Sequence, residues 1–149
     1  MRLSSYCLAA AATLATALPA SANVFGHWLT ENRLAIVEIT PCGNSACGNI
    51  VWMAEPLDAA GAPKLDANNP DPAMRARPLC GLPMIGNFTQ DADGEWTDGF
   101  IYDAQKGDVY KSKMRVTEEG NLYVRGYVGI PLLGQSQIWT REANNRGGC

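Results

Sequence analysis

The sequence changes side every second residue, and nowhere after its N-terminal segment does it hold a helical period. In Val109–Val116, Tyr110, Ser112, Met114 and Val116 face one way and Lys111, Lys113 and Arg115 the other. A period of two is that of a strand with one wet and one dry face. The next run repeats it, with Leu122, Val124, Gly126 and Val128 opposed to Tyr123, Arg125 and Tyr127, and so does Ala35, Val37 and Ile39 against Ile36, Glu38 and Thr40. The pattern predicts strands over 25–30, 35–40, 47–53, 84–90, 97–103, 108–117, 121–128 and 135–140. Turn residues separate them at Cys42-Gly43-Asn44, Asp91-Ala-Asp93-Gly94, Lys106-Gly107-Asp108 and Glu119-Gly120-Asn121, short enough for antiparallel hairpins.

Eight hairpin-linked strands without a helix predict a small all-β, up-and-down antiparallel barrel, the closed form that leaves no exposed sheet edge. A two-sheet sandwich is the alternative. One long connection, 54–83, interrupts the series. Within it Asp71 reads as a cap and Pro72 as the first position of a single helical turn over Ala73–Ala76. Gly81-Leu-Pro-Met-Ile-Gly86 and Gly129-Ile-Pro-Leu-Leu-Gly134 match class for class. Each leads into a strand that starts at the same end of such a barrel. Leu82, Pro83, Met84, Ile85, Ile130, Pro131, Leu132 and Leu133 are therefore expected to form an apolar mouth, with 54–80 as lid. The first and last strands of a barrel are neighbours, so Gly26 and Trp28 should meet Trp139 and Arg141. A guanidinium over an indole there, at about 0.5–2 kcal/mol, would close one end.

Arg2, the apolar run Cys7–Leu18, Pro19 and the small residues Ala20-Ser21-Ala22 have the form of a signal peptide cleaved after Ala22. The run is too short to span a bilayer. Residues 23–149 would then be one domain, with 11 basic residues against 15 acidic once Arg2 is removed. Their scatter, without a basic cluster, argues against nucleic acid or an anionic membrane surface as partner. Losing Cys7 leaves Cys42, Cys47, Cys80 and Cys149, an even set that in an exported chain predicts disulfides. No metal and no cofactor is expected: Cys42 and Cys47 lack a matching second pair, and His27 is not spaced as a ligand. With one histidine no nucleophile–base pair suggests itself, so no catalytic residue is assigned and the chain reads as a non-enzyme. Asp66 with Asp71, and Asp91 with Asp93, lie in turn-forming sequence where Asp caps or bends the chain.

More specific is the run Asp66-Ala-Asn-Asn-Pro-Asp-Pro-Ala-Met-Arg-Ala-Arg-Pro-Leu-Cys-Gly-Leu-Pro83, which holds Asp66, Asn69, Asp71, Arg75 and Arg77. It is joined by Ile101-Tyr102-Asp103, Gly107-x-x-Tyr110, Val124-Arg-Gly-Tyr-Val-Gly-Ile-Pro-Leu-Leu-Gly134 and Gln137-x-Trp139-Thr-Arg141. Together they resemble the bacterial exported family catalogued as domain of unknown function 2147, over Gly26 to Arg141. The resemblance implies a lipocalin-like (calycin) barrel in the periplasm of a Gram-negative bacterium, with the extracellular space as the other destination, and carries no established activity.

Cys42 and Cys47 flank one turn and are expected to pair; strand direction puts Cys149 at their end of the barrel and Cys80 at the other, yet Cys80 with Cys149 is the favoured second pair. The tail after the last strand could reach back about 26 Å. The rival pairs Cys149 with Cys42 or Cys47. The expected function is to bind a small, largely apolar molecule in or at the mouth of the barrel. The alternative is an envelope module that meets a partner protein with its apolar loops. The large inward side chains Tyr110, Met114, Val116, Val124 and Val128 favour a small or filled interior.

Overall fold

The computed structural model describes residues 23–149, and the expected signal peptide lies outside them. Eight antiparallel strands follow in order: β1 (Gly26–Leu29), β2 (Ala35–Cys42), β3 (Ser45–Met53), β4 (Pro83–Gln90), β5 (Trp96–Asp103), β6 (Asp108–Val116), β7 (Leu122–Tyr127) and β8 (Gln135–Glu142). Each pairs with the next, and β8 returns to β1 through Trp28↔Arg141 and its neighbours, so the barrel is closed. Alternation specified these strands because each has one face on a common interior. Across β6 and β7 the inward residues meet directly, Met114 opposite Val124 and Val116 opposite Leu122.

The interior is divided. At the end where β1 begins, Trp28, Trp139, Phe88, Met114 and Leu122 are fully buried among Val37, Ile39 and Val124. Each such side chain stabilises the fold by roughly 1.5–3 kcal/mol. Both indoles keep a partner: Trp28 Nε1 donates to the Val24 carbonyl at 2.7 Å, and Trp139 Nε1 to Gln137 Oε1 at 2.7 Å. Phe88 fits because the wall opposite it is thin. Asn87 and Asp98 both adopt left-handed backbone, φ 60 and 57°, where β4 and β5 depart from regular pairing. A Cβ at Gly99 would lie 2.4 Å from the Phe88 ring, so glycine is required there.

Arg141 seals this end. Its guanidinium carbon sits 4.0 Å from the centroid of the Trp28 ring, and it donates to the carbonyls of Phe25 at 3.0 Å and Asn23 at 2.7 Å. The segment before β1 is thereby drawn across the barrel, with Val24 buried and Phe25 edge-on to Trp96 at 5.6 Å. The opposite end is open. There the expectation of a filled interior fails: Met114 belongs to the plug, but Tyr110, four residues earlier on the same face, lines a cavity.

The long connection is extended, with one 3₁₀ turn at Pro72–Met74 capped by Asp71, whose carboxylate accepts from Ala73 N at 2.9 Å. This turn is shorter than the Ala73–Ala76 expected. Arg75 Nε donates back to the Asn69 carbonyl at 2.7 Å, and Asp66 N to the Arg77 carbonyl at 3.0 Å, which folds the chain on itself before a second turn can form.

Two disulfides tie the structure. Cys42–Cys47 closes the β2–β3 hairpin, and Cys80–Cys149 joins the end of the long connection to the C-terminus. On its way the tail lays Arg146 over Trp52, 4.8 Å from the ring centroid. The loops closed span 5 and 69 residues, so chain entropy assigns about 2 kcal/mol to the first and about 4 kcal/mol to the second. Replacing both Cys80 and Cys149 by serine should lower the urea midpoint by about twice as much as replacing Cys42 and Cys47, and equal losses would show that loop length is not the controlling quantity.

Candidate ligand site in the open half of the barrel

Above the plug the lumen holds a cavity of about 650 Å³ that opens between the long connection, the β5–β6 turn and the β7–β8 loop. Ile50, Met84, Ile101 and Val124 supply apolar wall, and Tyr110, Gln135 and Gln137 supply polar groups. Gly126 keeps the lumen wide, because a Cβ there would stand 3.2 Å from Ile101. Lys64, Glu55, Lys106 and Asp103 stand on the rim and pair with one another, Lys64 with Glu55 at 3.1 Å and Lys106 with Asp103 at 3.7 Å. Apolar wall and polar groups share the lining about equally, and a concave site of this size can hold a small molecule.

One side of the rim is held by a buried polar knot. Asp66, with no exposed surface, accepts from Tyr102 Oη at 2.5 Å, Asn69 Nδ2 at 2.8 Å and Arg77 Nε at 2.9 Å. Asn69 Nδ2 also reaches Tyr102 Oη at 3.2 Å, and Asn69 Oδ1 accepts from Asp71 N at 2.9 Å. Burial alone would raise the Asp66 pKa, but the hydrogen bonds from Tyr102, Asn69 and Arg77, with the Arg77 charge, hold it below its ordinary 3.8. Tyr102 moves the other way, pushed up by burial and by the carboxylate it donates to.

The family described as "Uncharacterized protein conserved in bacteria (DUF2147)" matches residues 26–141, most of the chain. The chain belongs to the DUF2147 family. No curated protein matches it. Among solved structures, protein HP1028 from the human pathogen Helicobacter pylori, described as belonging to the lipocalin family, superposes with a TM-score of 0.72. The two share 18% identity, over 83% of this chain and 86% of that one. At that identity the likeness concerns the fold, and the eight-stranded closed barrel of this DUF2147 domain is lipocalin-like.

The structure distributes the residues singled out in the sequence unevenly. Leu82, Met84 and Leu133 line the cavity. Ile85 lies 1% exposed within the plug. The reason is register: β4 begins at Pro83, so Ile85 is already inside the barrel, opposite Ile101. Its counterpart Leu133 ends an exposed 3₁₀ turn, Pro131–Leu133, and the two class-matched motifs are therefore not equivalent in space. Ile130, Pro131 and Leu132 project outward from the mouth, Leu132 with 80% of its surface exposed. Gly26, Trp28, Trp139 and Arg141 meet at the plugged end, away from the cavity. Asp66, Asn69, Asp71, Arg75 and Arg77 form the knot and its flanks, where they anchor the chain.

Gln135, Gln137, Ile50 and Ile101 are among the lining residues that inspection of the sequence missed. A signal for Gln137 existed in its place two residues before Trp139 on one strand, the spacing that puts both on one face.

The knot makes rim stability depend on pH. Because Asp66 is held below its ordinary value when folded, its contribution is complete above 3.8 and is lost as the pH falls below that value. Amide exchange across 54–82 should therefore accelerate on acidification before β6–β8 loosens. Asp66→Ala, which strands Tyr102 Oη and Asn69 Nδ2, should cost about 2–4 kcal/mol at neutral pH and abolish that acid-dependent step. An unchanged step in the variant would assign it to another carboxylate.

Proposed function

We propose that this DUF2147 domain is exported to the periplasm, through cleavage after Ala22, and there binds a small, largely apolar molecule in the open half of its barrel. The observation that carries this reading is the cavity of about 650 Å³, within the range of small-molecule sites. Eight strands enclose a lumen just wide enough for one such ligand. The plug of two tryptophans fills only one end, so the other is free to receive it. Two disulfides support an oxidising destination. The reading is one of binding without turnover: His27 lies 3.6 Å from the Glu38 carboxylate across the β1–β2 pair, and among the described residues no nucleophile hydrogen-bonds to it.

Two tests follow from the cavity. Protein isolated from its native host should carry a small molecule in native mass spectra, and emptied protein should take up the apolar dye N-phenyl-1-naphthylamine. Ile101→Trp, which extends an indole into the lumen, should cut dye affinity by about tenfold or more with a fold stability change under about 3 kcal/mol. No bound molecule and no dye uptake by the unaltered protein would end the ligand reading.

The outward tip of the β7–β8 loop supports a second reading, an envelope interaction module. Val128, Ile130, Leu132 and Leu133 are all more than half exposed, and Arg125 braces the tip by donating to the carbonyls of Pro131 at 2.6 Å and Leu132 at 3.3 Å. A rigid, exposed apolar tip is a common feature of partner-binding surfaces. Cross-linking in cells should then recover a defined envelope protein that is lost with Ile130→Asp, while dye uptake persists. Recovery unaffected by the substitution would remove this tip from any interface.

A further inference from the structure

We propose that Gln137 is the recognition group of the cavity. On this proposal the ligand is an uncharged, elongated apolar molecule with a carbonyl acceptor, of a ketone, ester or amide, at its inner end. The proposal rests on the ligand-binding reading and specifies what that site selects.

Position comes first. Gln137 pairs with Val124 across β7–β8, and both line the cavity. Two residues on along the same face, Trp139 is buried in the plug opposite Leu122. Gln137 therefore stands next to the plug, on the floor side of the cavity, with its own side chain exposed.

Orientation comes next, and chemistry dictates it. An indole N–H only donates, so the Trp139 Nε1 bond at 2.7 Å has to end on the Gln137 oxygen. That bond fixes the amide with its NH₂ turned away from the plug. Among the described residues Gln137 Nε2 makes no hydrogen bond, the amide being engaged only through its oxygen. The floor thus presents an aimed donor to whatever enters.

Charge then narrows the ligand class. The cations that line the site, Lys64 and Lys106, stand on the rim and are paired with Glu55 and Asp103. Among the described residues no other cation lines the cavity to receive a carboxylate, and an unpaired charge buried against Val124 and the plug is strongly disfavoured. A neutral carbonyl accepts from Gln137 without that penalty. A ligand with no acceptor would cover the amide and leave it unsatisfied, which weakens binding by roughly 10- to 100-fold. Ile50, Met84 and Ile101 flank the path from mouth to floor, so the body of the molecule is apolar.

The test compares three ten-carbon probes, 2-decanone, decanoate at about pH 8 where it is ionised, and decane, as displacers of N-phenyl-1-naphthylamine from purified protein. 2-Decanone should displace the dye at concentrations at least about tenfold lower than the other two. Gln137→Glu keeps an acceptor for the Trp139 indole but removes the donor, and should erase that advantage. Gln137→Leu should do the same. If Gln137→Leu fails to fold because Trp139 loses its partner, Gln137→Glu still decides the question. Equal displacement by all three probes, strongest displacement by decanoate, or a ketone preference that survives Gln137→Glu would each overturn the proposal and leave ligand binding standing. Failure of the dye and of every probe to bind the unaltered protein would overturn both.

Discussion

Everything in this molecule depends on the closing of an eight-stranded sheet through its shortest strand. β1 has four residues, and it must pair with β2 on one side and β8 on the other. Few ladder bonds hold that seam, so side chains reinforce it. Arg141 does so from β8, lying on the Trp28 indole while binding the carbonyls of Asn23 and Phe25. A guanidinium stacked on an aromatic ring keeps its donors free at the edges for just such bonds. One residue therefore fastens the last strand to the first and folds the preceding segment over the barrel end.

Closure of that end sets the character of the other. Large side chains gather low in the lumen, where Gly99 makes room for Phe88. Higher up, Gly126 and Ala35 stand among the lining residues, and a Cβ at Gly126 would meet Ile101 at 3.2 Å. The asymmetry is one of side-chain volume: two indoles and Phe88 fill one end, and glycine and alanine among larger side chains leave space at the other. The rim is then stiffened from outside the lumen. The Asp66 knot and the Cys80–Cys149 bridge hold the long connection on one side, and Arg125 holds the β7–β8 loop on the other. Groups held in place before a ligand arrives lose little freedom when it binds, and that favours affinity.

The strands were legible because a barrel wall obeys a local rule: residues two apart share a face, whatever the rest of the chain does. Closure through Gly26, Trp28 and Arg141 could also be anticipated, since in an up-and-down barrel the first and last strands meet. Less local features escaped. The role of Asp66 depends on Tyr102, 36 residues away and brought near only by the path of the long connection. Ile85 shares its motif with Leu133 yet lies inside the barrel, because the two segments enter their strands at different points of the pattern. β8 hid its inward face most thoroughly. Gln135, Ser136 and Gln137 are all polar, so no alternation reveals which of them point into the lumen.

That concealment has a physical source. Alternation reports on water, and a polar residue facing a solvent-filled lumen obeys the same preference as one facing the exterior. Binding residues of an open barrel therefore look like surface residues in sequence, and only their register with a buried neighbour distinguishes them. For Gln137 that neighbour is Trp139, which places it at the floor and at the same time fixes its amide. One indole thus contributes to three levels of the structure: it fills the plug, it sets the register of β8, and it aims the donor on which the proposed selectivity rests. Selectivity of this kind costs the free protein little, because water in the open lumen satisfies the amide until a ligand displaces it. Discrimination then arises at the moment of displacement, between molecules that replace the lost hydrogen bond and molecules that do not.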